Sequence, residues 1–227
     1  MNNFFATPTD VWGDDAVMLT TIGICIIAVT ILALIGIALL IYKRKHNASA
    51  RITTRQLVFS SMAIALAIIT SMIKLMEMPM GGSVTLLSML FIVLIGYWYG
   101  PAAGITTGMA YGLLQFVLEP IFYTLPQMLV DYPLAFGALG LSGFLHNRIF
   151  GLQIGYVVGV VGRFVFAFLS GVLFFVSYAP EGMNPALYST IYNGSYLLAE
   201  AVITLIIISL PPVHKALKHV KQLTCEG

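Results

Sequence analysis

Charged residues are scarce in this chain of 227 residues: Asp, Glu, Lys and Arg together make up 9%, whereas hydrophobic residues make up 59%. Soluble domains carry about a quarter charged residues, so this composition excludes an ordinary soluble domain. Because one helical crossing of a bilayer takes about 20 apolar residues, the chain has room for roughly six or seven crossings. We therefore expect an all-α integral membrane protein with no length left for a soluble catalytic domain.

Cysteine is scarce as well, since the chain has only Cys25 and Cys225, which lie far apart in the sequence. This spacing indicates neither a disulfide framework nor a metal site. The HExxH, GxSxG and Walker sequences are also missing, and each of them supports a known kind of catalytic or nucleotide site. The sequence therefore predicts that the protein is not an enzyme, and that any active transport takes its energy from an ion gradient or from another subunit.

Seven apolar runs are candidate helices, at residues 16–42, 56–77, 84–98, 101–118, 123–145, 153–176 and 185–210. The first run follows acidic residues and is too long for the apolar region of a signal peptide, so we interpret it as an additional transmembrane anchor. The predicted organisation is an extracellular segment (1–15), the anchor (16–42), a basic cytoplasmic linker (43–55), a six-helix substrate-binding membrane domain (56–210) and a basic cytoplasmic tail (211–227).

The distribution of Lys and Arg predicts the orientation, because these residues accumulate in cytoplasmic loops. With the N-terminus outside, nine of the eleven fall in the cytoplasmic segments 43–55, 146–152 and 211–227. The outer segments hold Asp and Glu, and Lys74 is their only basic residue. We expect a multi-pass protein of the cell membrane with its N-terminus outside and its C-terminus in the cytoplasm.

Polar side chains inside the apolar runs are costly in lipid and indicate function. Asp131 lies roughly 12 Å below the outer end of its helix at 1.5 Å per residue, and Gln127 shares its face. In the last run, Tyr188, Tyr192 and Tyr196 recur every four residues. A carboxylate among aromatic rings and amides suits a flat, cationic, nitrogen-bearing ligand.

Each of these features also has a purely structural interpretation. Tyrosines near helix ends form interfacial belts, and Asp131 could be the ion-pair partner of Arg163. Arg163 and Glu200 lie at nearly the same depth, so we favour a pair between those two that leaves Asp131 for a ligand. The Gly- and Pro-rich loop at 78–83 is by composition either a helix connector or a ligand lid.

Three blocks of the sequence point to one family: MPMGGSVTLLSML (78–90), LVDYPLAFGALGLSGF (129–144) and SYAPEGMNPALYSTIYNGSYL (177–197). From about residue 55 onward the chain resembles the thiamine-specific substrate-binding S-component of an energy-coupling-factor (ECF) vitamin transporter. The resemblance implies a six-helix protein that binds thiamine from outside and topples within an ATP-driven complex. Its partners would be a transmembrane coupling subunit and two ATPase subunits. No cofactor or metal of its own is expected.

The resemblance also implies roles for individual residues. The expected substrate-binding residues are Asp131, Tyr132, Phe175, Tyr188 and Asn193, and from its helical position we add Gln127 as a hydrogen-bonding group. The expected gating loop comprises Met78, Gly81, Gly82 and Ser83. The AxxxA pair Ala63 and Ala67 matches the docking face for the coupling subunit.

Some positions depart from the family pattern. Ala167 stands where the family often has a histidine, Phe91 stands where a proline usually follows SML, and the anchor at 16–42 is additional to the usual six helices. These differences leave three alternatives open, namely a related vitamin, a thiamine precursor such as a hydroxymethylpyrimidine, or a gradient-driven small-molecule carrier.

Overall fold

The computed structural model describes residues 6–8, 17–19, 53–78, 82–146 and 148–225. These residues form seven helices: α1 (Thr54–Ser71), α2 (Ser88–Tyr99), α3 (Pro101–Leu118), α4 (Leu125–Leu145), α5 (Gly151–Phe174), α6 (Pro185–Ser209) and α7 (Pro211–Cys225). They also form two antiparallel hairpins, β1 (Ala6–Pro8) with β2 (Val17–Leu19) and β3 (Lys74–Glu77) with β4 (Ser83–Thr85).

Helices α1 to α6 follow the six predicted apolar runs between residues 56 and 210. Four of them, α1, α4, α5 and α6, are long and apolar enough to cross a membrane. The predicted anchor at 16–42 lies outside the described residues, except that Val17–Leu19 is the strand β2. The anchor and the total of seven crossings therefore remain predictions.

The predicted helices at 56–77 and 84–98 are wrong at the ends that face each other. Helix α1 ends at Ser71, and strands β3 and β4 fill the interval before α2. Lys74 pairs with Thr85, and Glu77 pairs with Ser83. Once a Gly- and Pro-rich turn breaks the helix, the flanking backbone groups need other partners, and the hairpin supplies them.

Helix α2 is the central helix of the bundle, with Met89, Ile92, Val93 and Ile95 fully buried. Such burial is typical of a helix that is apolar on every face. Its N-terminus has no side-chain cap of its own, since the preceding residue, Leu87, has a φ of 64° and makes no capping bond.

Glu200 of α6 supplies the missing cap of α2. Its carboxylate accepts hydrogen bonds from the backbone N–H and hydroxyl of Thr85 (3.0 and 2.7 Å), from the Ser88 hydroxyl (3.3 Å) and from the Met89 N–H (3.3 Å). A negative charge at a helix N-terminus is favourable, and a buried carboxylate needs such partners. The network ties the β3–β4 hairpin and α2 to α6.

The two small residues of the predicted docking face lie in the interior. Ala67 is fully buried, and Ala63 is 6% exposed and packs with Ile95 and Ala103. The docking role of Ala63 and Ala67 stays a prediction, and in this arrangement both side chains pack inside the chain. Small side chains at these positions let α1 approach α2 and α3 closely.

Helices α3 and α4 approach each other closely along their backbones. A Cβ atom on Gly108 would collide with the carbonyl oxygen of Phe136, and one on Gly112 would collide with that of Tyr132. Further along, Gly104 packs against Gly140. Glycine at every fourth position of α3 thus permits the approach.

Helix α4 changes its winding along its length. It contains a π-helical turn at Val130–Leu134 and ends as a 3₁₀ helix at Ala138–Leu145. Pro133 lies in the π turn, where its missing N–H removes a regular helical hydrogen bond. Turns of this kind are frequent at functional sites, and this one contains Asp131 and Tyr132.

Replacing Gly108 by alanine is expected to lower the free energy of unfolding by about 1–3 kcal/mol, because its methyl group would push α3 away from α4. The matched control is Gly194→Ala in α6, where the nearest atom to a new Cβ is a ring carbon of Phe164 at 3.8 Å. That change should be neutral or stabilising by up to about 1 kcal/mol. Thermal unfolding in detergent measures both variants, and equal melting temperatures would contradict the close α3–α4 contact.

Candidate functional site

A cavity of about 500 Å³ lies beneath the β3–β4 hairpin. It is lined by the C-terminal ends of α1, α3 and α5 and by the N-terminal parts of α2, α4 and α6. Chain segments that are far apart in the sequence therefore meet around one space. Its size falls within the range of ordinary small-molecule sites.

The cavity brings together most of the predicted binding and gating residues. Those that line it are Asp131, Tyr132, Phe175, Tyr188, Asn193, Gly82 and Ser83. Gln127 and Met78 are not among the lining residues, and Gly81 lies outside the described residues.

Gln127 lies behind Asp131. Its fully buried amide donates to Oδ2 of Asp131 (2.6 Å) and to the carbonyl of Ile121 (3.1 Å), and its oxygen accepts from the N–H of Tyr123 (3.1 Å). With the amide engaged on both sides, Gln127 orients the carboxylate. The expectation that Gln127 itself offers hydrogen bonds in the cavity is therefore corrected.

Tyr132 joins α4 to the connection between α3 and α4. Its hydroxyl donates to the carbonyl of Glu119 (2.7 Å) and accepts from the N–H of Ile121 (2.9 Å). Its ring stands edge-on to Phe116, with centroids 5.1 Å apart. The ring thus forms cavity wall while the hydroxyl has internal partners.

The three tyrosines of α6 form one aromatic wall. Tyr188 stacks on Tyr192 with centroids 5.9 Å apart, and Tyr192 meets Tyr196 edge-on at the same distance. All three line the cavity, as a four-residue repeat on a helix allows. The interfacial-belt interpretation therefore does not hold for this stripe.

The β3–β4 hairpin touches this wall directly. The N–H of Gly82 donates to the hydroxyl of Tyr192 (3.0 Å). A Cβ on Gly82 would lie only 2.8 Å from that hydroxyl and 2.9 Å from the ring of Tyr196. Glycine is required here by the close approach of the hairpin to α6.

Asn193 is held by α5 and by its own helix. Its amide donates to the carbonyls of Ala167 (3.2 Å) and Ser189 (3.0 Å), and its oxygen accepts from the hydroxyl of Tyr196 (2.9 Å). Ala167 itself lines the cavity. The carbonyl of Ala167 thus helps to fix the orientation of Asn193.

Arg163 lies over the ring of Phe136, 4.1 Å from its centroid, in a cation–π contact. The predicted ion pair with Glu200 is wrong, because the donors of β4 and α2 surround that carboxylate. Arg163 does not pair with Asp131 either, because the ion pairs among the described residues join Lys74 to Glu77 and Glu119. Equal depth in two helices does not determine which way their side chains point.

A second set of contacts holds the hairpin in place at the rim of the cavity. Lys74 of β3 contacts Glu119 at 2.8 Å and Glu77 at 3.4 Å. The hydrogen bond to Glu119 raises the pKa of Lys74. Nearby, the hydroxyls of Tyr123 and Tyr178 lie 2.5 Å apart and connect two of the loops at this end. The hairpin is therefore attached to α3 through Lys74 and to α6 through Gly82.

Several lining residues were missed by the sequence analysis. On α5 they are Ser170 and Gly171, which share one face with Arg163 and Ala167, as a helical count of i, i+4, i+7 and i+8 from Arg163 would have shown. The buried Ser170 hydroxyl lies beside the carboxylate of Asp131. No local sequence signal pairs Lys74 with Glu119, because they lie on separate elements.

The charged residues that line the cavity are three carboxylates, Glu119, Asp131 and Glu200, and two cations, Lys74 and Arg163. The formal charge of the lining is therefore −1. Glu119 is paired with Lys74, and Glu200 has four hydrogen-bond donors. Asp131 accepts an amide hydrogen bond from Gln127 and has the Ser170 hydroxyl beside it, and no cation among the described residues pairs with it.

The known proteins that this chain resembles are named as thiamine transporters. The sequence model of the thiamine transporter protein family (Thia_YuaJ) matches residues 57–220. The thiamine transporter ThiT of Bacillus subtilis is 33% identical over 167 residues, which cover 67% of this chain and 85% of the relative. ThiT of Lacticaseibacillus paracasei is 28% identical over 120 residues, 45% of this chain and 60% of that protein.

A solved structure shows the same fold. ThiT from Listeria monocytogenes superimposes with a TM-score of 0.63 at 26% identity, covering 74% of this chain and 96% of the other. The family match extends from α1 into α7 and includes every helix that lines the cavity. The chain is thus a multi-pass membrane protein, not an enzyme, and it belongs to the thiamine transporter protein family.

Proposed function

We propose that this chain binds thiamine in the cavity and is the substrate-binding subunit of an ECF-type ABC transporter, which captures the vitamin from outside for ATP-driven uptake. The observation that carries the proposal is the Asp131 carboxylate, which faces an aromatic-walled cavity in a member of the thiamine transporter family.

The chemistry of thiamine suits this lining. Its thiazolium ring has a fixed positive charge, which complements a lining with a formal charge of −1. Asp131 balances that charge, and the rings of Tyr132, Phe175 and Tyr188 provide flat contacts. Asn193 Oδ1, which accepts one internal hydrogen bond, keeps a second lone pair for the amino group of the pyrimidine.

The β3–β4 hairpin is the proposed gate. Of the gating residues predicted from the sequence, Met78, Gly82 and Ser83 belong to the described part of this segment, and Gly81 lies outside the described residues. In the present arrangement, Gly82 is bonded to Tyr192 and Lys74 to Glu119. Opening breaks both contacts and exposes the cavity on that side. Closure excludes water and so strengthens the interaction between Asp131 and the cation.

ATP-driven coupling requires other subunits. The chain contains no Walker sequence, so a transmembrane coupling subunit and two ATPase subunits would supply the energy. The proposed orientation places the hairpin outside and α7 in the cytoplasm, in agreement with the distribution of Lys and Arg.

Asp131→Asn is expected to weaken thiamine binding about 10- to 100-fold, because a hydrogen bond or contact to a charged group contributes about 1.5–3 kcal/mol. Calorimetry on the purified protein measures the affinity. Glu181→Gln, which makes the same chemical change at an exposed site, should leave affinity unchanged. Unchanged affinity in Asp131→Asn would remove the carboxylate from the proposed site.

Uncharged hydroxymethylpyrimidine serves as a comparison ligand for the same two proteins. If thiamine is the substrate, the parent protein binds thiamine more tightly than hydroxymethylpyrimidine. In Asp131→Asn the affinities for the two ligands should lie closer together. Tighter binding of the uncharged compound by the parent protein would identify a thiamine precursor as the substrate instead.

Tyr192→Phe is expected to speed thiamine release about three- to tenfold, because it removes the hydrogen bond that holds Gly82 to α6. The association rate should change less, since related complexes differ mainly in dissociation. Stopped-flow fluorescence measures both rates. Tyr99→Phe at the opposite end of the bundle is the control. Identical release rates in the two variants would argue against the hairpin as the gate.

Reconstitution into lipid vesicles tests the transport mechanism. We expect vesicles that contain this chain alone to bind labelled thiamine without accumulating it, even with an imposed ion gradient. Accumulation should require the coupling subunit, the ATPases and ATP together. Gradient-driven accumulation by the chain alone would show a self-sufficient carrier and overturn the ECF assignment.

A further inference from the structure

Helix α7 is fastened to the end of the bundle opposite the cavity. Lys221 donates to the carbonyl of His146 (2.8 Å) and lies 4.1 Å from the ring centroid of Tyr97. The Tyr99 hydroxyl reaches the carbonyl of Thr224 (3.5 Å). Leu217 packs against the main hydrophobic core. These contacts hold one face of α7 against the ends of α2, α4 and α6.

The opposite face of α7 is basic and exposed. Lys215 and Lys218 are both exposed, as are His214 and His219. The helix, Pro211–Cys225, contains no acidic residue. Leu223 is 58% exposed on the same helix. The part of α7 that the bundle leaves uncovered is therefore basic, with Leu223 as an exposed apolar neighbour, and basic side chains beside exposed apolar ones suit a membrane interface.

The rest of this end of the molecule carries the same charge. Arg148, two residues after the His146 that holds Lys221, is exposed, and its neighbours Ile149 and Phe150 are 85% and 68% exposed. The described carboxylates lie elsewhere, in the cavity lining or in the elements and loops at the cavity end: Glu77, Glu119, Asp131, Glu181 and Glu200. Among the described residues, this end of the molecule therefore carries basic side chains and no carboxylate.

The position of α7 in the chain brings this face to the membrane surface. The span α6 ends at Ser209, and α7 begins two residues later, after one extended residue, Leu210. A helix that follows a span so closely lies at the level of the headgroups. Basic residues at that level attract anionic lipids, with about a fivefold gain in affinity for each Lys or Arg.

We propose that α7 is an interfacial helix that binds anionic phospholipid headgroups through Lys215 and Lys218, while Lys221 fastens the helix to the bundle. The occupant is lipid because the face is uniformly basic, directly follows a membrane span and lies beside exposed apolar side chains. This surface is distinct from the ligand cavity and from its gate.

The proposal is tested by letting two lipids compete for the protein surface near Trp98 and measuring the fluorescence of that tryptophan. Trp98 lies on α2 between Tyr97 and Tyr99, the two residues that contact α7. The chain has two tryptophans, so Trp12→Phe leaves Trp98 as the only reporter. The full-length protein is placed in vesicles of brominated phosphatidylcholine, whose bromine quenches tryptophan, and unlabelled phosphatidylglycerol is added.

We expect phosphatidylglycerol to relieve the quenching with at least about a fivefold preference over unlabelled phosphatidylcholine, and high salt to reduce that preference. The double variant Lys215→Gln/Lys218→Gln should lose it, and Lys215→Arg/Lys218→Arg should keep it. Unchanged thiamine affinity in all three proteins confirms that they are folded.

Two results would overturn the proposal. One is an absence of preference for phosphatidylglycerol in the parent protein, and the other is an equal preference in the Lys→Gln double variant. A double variant that keeps its lipid preference but fails to assemble with the transporter subunits would show that this face binds protein.

Discussion

The close backbone contact between α3 and α4 is the constraint on which the site depends. Glycines on α3 let it approach the π-helical turn of α4, and that turn contains Asp131 and Tyr132. The same contact places Phe136 between the ring of Tyr111, 4.9 Å away, and the guanidinium of Arg163. A wider separation would displace the carboxylate, the tyrosine and the cation–π contact together.

Of the five charged side chains that line the cavity, three lie on the membrane-spanning helices α4, α5 and α6, and each has a different environment. Glu200 accepts four hydrogen bonds and acts as the cap of α2, so its negative charge is stabilised by donors of the protein itself. Arg163 lies over an aromatic ring. Asp131 has two polar neighbours, the Gln127 amide and the Ser170 hydroxyl, and no paired cation among the described residues. Because an ionised group in a low-dielectric interior needs compensation, the proposed cationic ligand would supply it at Asp131.

The sequence predicted the six core helices because hydrophobic length and loop composition report directly on membrane crossing. It also predicted Asp131, Tyr132 and the tyrosine stripe, since costly polar residues at helical spacing are visible in one dimension. It was wrong about the Arg163–Glu200 pair, because depth and spacing do not specify which neighbour a helix face meets. The β3–β4 hairpin was missed because its strands are short and lie beside long apolar runs.

By itself, the sequence determined that the chain is helical and crosses the membrane several times, because these properties depend on composition along the chain. Only the tertiary structure decided that Gln127 orients Asp131, that Glu200 caps α2 and that Gly82 reaches Tyr192. Those contacts join residues from separate elements, and their geometry is set by how closely the helices pack.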